Sequence, residues 1–167
     1  PYSRGDGLKA AVTLDARIDR GDYFLNTFAG YREDAADPTS GRFLLLSPGA
    51  RKVWEIFVDR RGRRFMQEDH PSIDYRERAL FSQAGTAMHI ILDEGILQNA
   101  APLTLEDATA YRARFGRHPA FIKARTIDEL ARKLDVPVGN LRKTIAQYNR
   151  AVDAELDREQ GKQFLIR

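Results

Sequence analysis

The sequence predicts an α+β fold, a small mixed sheet with a β-hairpin, packed by helices. Three observations carry this. The run Val53-Trp-Glu-Ile-Phe-Val58 is rich in β-branched and aromatic residues; Asp59-Arg-Arg-Gly62 supplies a turn with glycine where a positive φ is needed, and Arg63 to Met66 is expected to return as the partner strand. Downstream, Thr126-x-x-Glu129 is a capping box, in which the Thr hydroxyl accepts from the Glu amide and the Glu carboxylate reaches back. Behind it Ile127, Leu130, Ala131 and Leu134 fall at helical spacing on one face. With 167 residues and 43% hydrophobic content, the chain can bury a core as one compact unit.

The elements follow in order. Leu8 to Ile18 is expected to be a helix, with Leu8, Ala11, Val12 and Asp15 making a partly apolar face. Residues 31–41 are a polar loop by composition, Phe43-Leu-Leu-Leu46 a short buried run, and Ser47-Pro-Gly49 a turn. After the basic hairpin, Asp74 to Gln83 reads as a helix at the rim, Ala87 to Leu92 as a strand, and Asp93 to Gln98 and Thr104 to Phe115 as helices. Val136-Pro137 interrupts and restarts the chain, and Leu141, Ile145, Tyr148 and Val152 form the stripe of the last helix. Tyr23, Phe24 and Phe28 are expected in the core.

Composition narrows the functional classes. There is no cysteine, which excludes disulfides, thiolate metal sites and cysteine catalysis and points to the cytoplasm. His70, His89 and His118 lack metal-ligand spacing, so no metal is expected. No apolar run approaches the roughly 20 residues of a membrane span. A net charge of +3 makes no case for nucleic acid. Locally, Arg60, Arg61, Arg63 and Arg64 crowd one turn, and their repulsion calls for carboxylates or an anionic ligand nearby. The start at Pro1 and the stop at Phe164-Leu-Ile-Arg167 suggest a chain cut from something longer.

Four stretches share one order. Arg4-Gly-Asp-Gly-Leu-Lys-Ala-Ala11 comes first; Gly62-Arg-Arg-Phe-Met-Gln-Glu68 and Ala87-Met-His-Ile-Ile-Leu-Asp93 follow; Ala124-Arg-Thr-Ile-Asp-Glu-Leu-Ala131 with Leu141-Arg-Lys-Thr-Ile-Ala-Gln-Tyr-Asn149 closes the series. Together they resemble the capping region of the FAD-dependent fumarate reductase and succinate dehydrogenase superfamily. The resemblance implies residues 1–30 as a remnant of the FAD-binding domain and 31–167 as the capping domain. It also implies an intact oxidoreductase that moves hydride between flavin and a C–C bond beside a carboxylate or ketone, the cap closing over the substrate. The implied partners are a small carboxylate or ketone and the rest of the flavin domain.

The resemblance also assigns residues. In the family an arginine soon after the basic hairpin serves as acid or base. Aligning Arg64-Phe-Met-Gln-Glu-Asp-His-Pro71 with the succinate dehydrogenase pattern puts it within a residue of Arg78, with Arg76 second and Tyr75 a further candidate donor. Arginine can both bind an anion and pass a proton only where a dry, cation-rich pocket lowers its pKa or a relay refills it. Arg51 matches a relay arginine, but Pro48 stands where the relay acid belongs. The substrate-clamp histidine would fall near Thr27, where there is none. These departures suit the tricarballylate and 3-ketosteroid dehydrogenase branch. Asp6 matches a carboxylate that contacts FAD, with Gly5 and Gly7 allowing close approach. The chain has no Gly-x-Gly-x-x-Gly fingerprint, so this piece alone is not expected to hold FAD.

A rival reading is a helix-turn-helix DNA-binding domain over Thr126 to Tyr148, with Arg142 and Lys143 on its second helix. Against it, Val138, Gly139 and Asn140 stand where base-reading side chains belong, and Asp135 replaces the turn glycine. A partner-binding homologue of the cap is a further alternative.

Overall fold

The computed structural model describes residues 5–17, 28–34, 42–49 and 51–166. Its elements run α1 (Asp6–Thr13), β1 (Gly30–Arg32), β2 (Phe43–Leu45), β3 (Ile56–Val58), α2 (Ile73–Phe81), β4 (His89–Ile91), α3 (Glu94–Asn99), α4 (Ala108–Ala113), α5 (Ile127–Lys133) and α6 (Val138–Asp153). The α+β expectation holds. The sheet is divided, however, into two antiparallel pairs, β1 with β2 and β3 with β4, the second in the register Ile56↔Ile91, Phe57↔Ile90, Val58↔His89.

β3 explains why the molecule has two cores. Successive side chains of a strand point to opposite faces, and all three of these are buried. Phe57 joins Phe28, Val53, Met66, Leu80 and Leu103 on one side. Ile56 and Val58 join Ala131, Val136, Leu141 and Tyr148 on the other. The α6 stripe is therefore set against β3, and truncating the fully buried Leu141 to alanine should cost about 2–5 kcal/mol.

Local chemistry sets most helix starts. Ser72, Asp93, Asp107 and Thr126 each accept a backbone N–H of the helix that follows. At α5 the Thr126 half of the expected box forms, Thr126 Oγ1 accepting from Glu129 N at 3.1 Å, while the Glu129 carboxylate reaches one residue past the cap and accepts from Arg125 N at 2.8 Å.

Five expectations change. The hairpin turn forms, with Gly62 at φ 72° and Asp59 N donating to Arg63 O at 2.9 Å, but the return strand shrinks to one bridge, Val58↔Arg64. Arg64 and Met66 turn inward to full burial instead of running along β3, and β4 becomes its partner. Phe43 and Leu45 are about half exposed rather than buried. Tyr31 and Arg32, expected in a loop, pair with β2. The first helix ends at Thr13 and buries no side chain. The helix expected from Thr104 starts at Ala108, because Thr104 bridges to Leu46 and Asp107 caps the later start. Phe28 is in the core as expected; Tyr23 and Phe24 lie outside the described residues. Among the described residues no helix is long and apolar enough to cross a membrane.

Candidate functional site

The basic turn resolves into two kinds of arginine. Arg60, Arg61 and Arg63 are exposed, with the Asp59 carboxylate accepting from the amides of Arg61 and Arg63 at 2.8 and 2.9 Å. Arg64 goes inward. Its Nε and one Nη bind Glu68 at 2.7 and 2.6 Å, and the same Nη reaches Asp157 at 2.7 Å, all three side chains being buried. Burial opposes the charge on Arg64, yet the bonds to Glu68 and Asp157 win and hold it more firmly protonated than usual. Here the carboxylates called for by the crowded turn are supplied by the protein itself.

Lys162 extends the cluster. Its ammonium donates to the carbonyls of Glu55 at 2.6 Å and Trp54 at 3.2 Å and lies 5.1 Å from the centre of the Tyr148 ring. Burial, with Arg64 adding repulsion, pushes it down to about 8. Beside it Asp69 accepts from the amides of Gln163 and Phe164 at 2.8 and 2.6 Å. The chain's last described stretch is thus tied to the loop that leaves the Arg-Phe-Met motif.

That loop delivers α2, and α2 separates the two arginine candidates. Arg78 is about half exposed, and its Nε binds Asp74 at 2.8 Å, one turn back. Arg76 is 3% exposed. One of its Nη atoms donates to the carbonyl of His70, its guanidinium lies 5.9 Å from the centre of the Phe28 ring, and its Nε has no hydrogen-bond partner. Among the described residues no carboxylate forms an ion pair with it. Desolvation lowers its pKa, and the more distant charges of Glu77 and Asp69 only partly offset that. A buried guanidinium with an open donor is suited to receive an anion or a developing oxyanion.

The remaining candidates are placed as follows. Tyr75 is 38% exposed; its ring stacks on His70 with centres 4.0 Å apart, and its hydroxyl accepts from Gln67 N at 3.4 Å. Arg51 is engaged by the buried Glu55 at 2.5 Å and by the carbonyls of Ala101 and Lys52, both at 2.6 Å. Arg76, Tyr75 and Arg78 share one helix, whereas Arg51 precedes β3. Gly5 sits at φ 71° ahead of α1; a side chain at Gly5 or Gly7 would meet nothing within 4 Å, and Asp6 is exposed 3.6 Å from Lys9. That segment therefore presents an open backbone and one exposed carboxylate.

Spacing alone did not single out Glu68, Asp157, Lys162 and His70. Glu68 belongs to the quoted motif, but Asp157 and Lys162 carry no sequence signal. Arg76 did carry one, since Leu80 lies one helical turn beyond it and is buried on the same face. An apolar cleft of about 630 Å³, lined by Tyr31, Leu80, Phe81, Met88, Phe115 and Phe121, borders α2 but includes none of these arginines. The α5–α6 pair does not present its base-reading end freely. Asn140 donates to Arg61 O at 2.9 Å, Thr144 to Gly62 O at 2.7 Å, and a Cβ at Gly62 would come within 3.3 Å of Leu141 N.

The chain is similar to longer proteins. It is 40% identical over 125 residues to the NADH:acrylate oxidoreductase of Vibrio harveyi, covering 74% of this chain and 12% of that protein. It is 26% identical to the vinyl phenol reductase of Lactiplantibacillus plantarum, over 98% of this chain and 36% of that protein. It is 28% identical to the 4-oxocyclohexanecarboxylate 2-dehydrogenase of Sinomonas cyclohexanicum, over 89% and 26%. Among solved structures, the open conformation of a flavocytochrome c3 fumarate reductase superposes with a TM-score of 0.63 over 95% of this chain and 25% of that one, at 23% identity, a likeness of fold. No protein-family model matches the chain. It therefore spans between about an eighth and about a third of the curated relatives it matches.

Proposed function

Because this chain belongs to the fumarate reductase-like flavoproteins, we propose that it is the cap of an FAD-dependent oxidoreductase, with residues 31–167 closing over the substrate and residues 1–30 belonging to the flavin domain. The bound flavin supplies or accepts a hydride at a C–C bond next to a carboxylate or ketone. Asp6, with Gly5 and Gly7 beside it, touches FAD, while the rest of the flavin domain holds it. Closure of the cap excludes water and strengthens the charge at the reacting bond. A cytoplasmic location rests on the missing cysteines.

The observation that carries the reading is the buried Arg76, which has no carboxylate partner among the described residues and an open Nε. In this role its guanidinium binds the carboxylate or carbonyl oxygen and holds the proton that the substrate carbon gains or loses. Desolvation makes that proton less costly to pass than from a solvated arginine. Arg78, neutralised by Asp74 at the surface, steadies the helix. Tyr75 and Arg51 are both held in other contacts and serve as supports.

The test uses the intact protein with its flavin reduced by dithionite, mixed with acrylate, fumarate, crotonate or cyclohex-2-enone. One of the four should reoxidise the flavin. Arg76→Gln should slow that step by about 10²–10⁴-fold while flavin content stays at the wild-type level. No reoxidation by any of the four, or an Arg76→Gln protein as fast as wild type, removes the proposal.

A further inference from the structure

A long guanidinium side chain carries substantial rotamer freedom, and a displacement of about 1 Å at a reacting group can cost about 10²-fold in rate. Among the described residues, the hydrogen bond that holds Arg76 runs from one Nη to the carbonyl of His70. The direction of Arg76 therefore depends on how firmly the His70 peptide is held.

It is held from several sides. The His70 amide donates to Gln67 O at 3.2 Å. Its imidazole lies on the Tyr75 ring, centres 4.0 Å apart and planes 27° from parallel. Its Nδ1 accepts from Ser72 N at 3.1 Å. A backbone N–H can only donate, so Nδ1 bears the lone pair and the ring proton resides on Nε2. Pro71 has no N–H, which makes Ser72 the first donor after His70. Ser72 in turn caps α2, its hydroxyl accepting from Tyr75 N at 3.3 Å, and the Tyr75 hydroxyl returns to Gln67 N at 3.4 Å. The circuit Gln67, His70, Ser72, Tyr75 closes on itself, and Arg76 is the next residue. Asp69, adjacent to His70, is anchored to the amides of Gln163 and Phe164. The only imidazole within this circuit performs two tasks: stacking on Tyr75 and accepting from the start of α2.

From this we infer that His70 is a positioning residue for Arg76: its ring fixes its own carbonyl, and that carbonyl aims the guanidinium. The inference rests on the role of Arg76 proposed above. Tyr75, in this arrangement, is a platform for the imidazole and not a proton donor.

Three substitutions separate the tasks. His70→Asn keeps an acceptor within reach of Ser72 N, His70→Phe keeps a ring for Tyr75, and His70→Ala keeps neither. In the intact protein, with whichever of the four acceptors reoxidises the wild-type flavin, His70→Ala should lower turnover at saturating acceptor by about 10- to 100-fold with flavin content unchanged. His70→Asn should recover most of that loss and His70→Phe less. Arg76→Gln is measured alongside. If Arg76→Gln is slow and all three His70 variants turn over like wild type, the positioning role is wrong and the role of Arg76 stands. A His70→Ala loss that follows the melting temperature and is not rescued by Asn would also overturn it. If Arg76→Gln turns over normally, both inferences fall.

Discussion

Two buried arginines flank one loop, and they are treated oppositely. Arg64 enters the core with two carboxylates in direct contact, and Lys162 and Tyr148 close around it. Arg76 is buried to the same degree, holds one backbone carbonyl and keeps an open Nε. Burying a charge is costly unless it is paired. Each arginine keeps one buried donor without a hydrogen-bond partner, a second Nη on Arg64 and Nε on Arg76, so the difference between them is in charge: the fold sets two carboxylates against Arg64 and, among the described residues, none against Arg76. The Arg-Phe-Met motif thus buries its arginine in a paired cluster, and the chemistry proposed above falls on the helix that follows it.

The contrast can be broken most severely at the paired site. Asp157→Asn or Glu68→Gln leaves Arg64 with one carboxylate in a dry environment and should cost about 3–5 kcal/mol in urea denaturation of the intact protein. A change below about 1 kcal/mol would mean that the cluster is hydrated. At the unpaired site the sign should reverse. Arg76→Met removes an uncompensated charge and should leave stability unchanged or raise it by about 1–3 kcal/mol, while abolishing flavin turnover; a loss as large as at Asp157 would show that Arg76 is structural.

Lys162 sharpens the comparison through pH. Its folded pKa of about 8 lies below its ordinary value of 10.5, so between these values the unfolded chain binds more protons than the folded one. Stability should therefore rise as pH increases from about 8 to about 10.5, and Lys162→Met should flatten that limb of a melting-temperature profile. Asp157 works in the opposite range. Burial opposes its charge, but Arg64 holds its carboxyl below the usual carboxylate range. Its contribution is present above pH 4 and is lost as pH falls through the lowered value, so Asp157→Asn should remove part of the acid limb. The smallest effect belongs to the solvated arginine. Arg78→Ala should change turnover by less than about threefold, since a surface ion pair contributes little.

Much of this was legible locally. The Thr126 cap of α5, the α6 stripe and the Gly62 turn each depend on residues within a few positions of one another, and all three form as read. The partner of β3 was not legible, because Arg63 to Met66 and His89–Ile91 are both plausible neighbours by composition. What excludes the first is the demand of Glu68 and Asp157 for Arg64, and Asp157 lies far along the chain. The choice between Arg76 and Arg78 shows the same limit. About 200° apart around α2, they cannot both face inward. Alignment along the motif favours Arg78, while the helix face shared with the buried Leu80 favours Arg76.

By itself, then, the sequence determined the α+β class, most helix starts and stripes, the basic turn and the likeness to the fumarate reductase-like flavoproteins, because these depend on short-range periodicity, capping and motif order. Tertiary structure decided which strand pairs with β3, which arginine is neutralised and which remains open. Those outcomes turn on where charges distant in sequence meet in a low-dielectric interior, and there the cost of an unpaired ion outweighs any local preference.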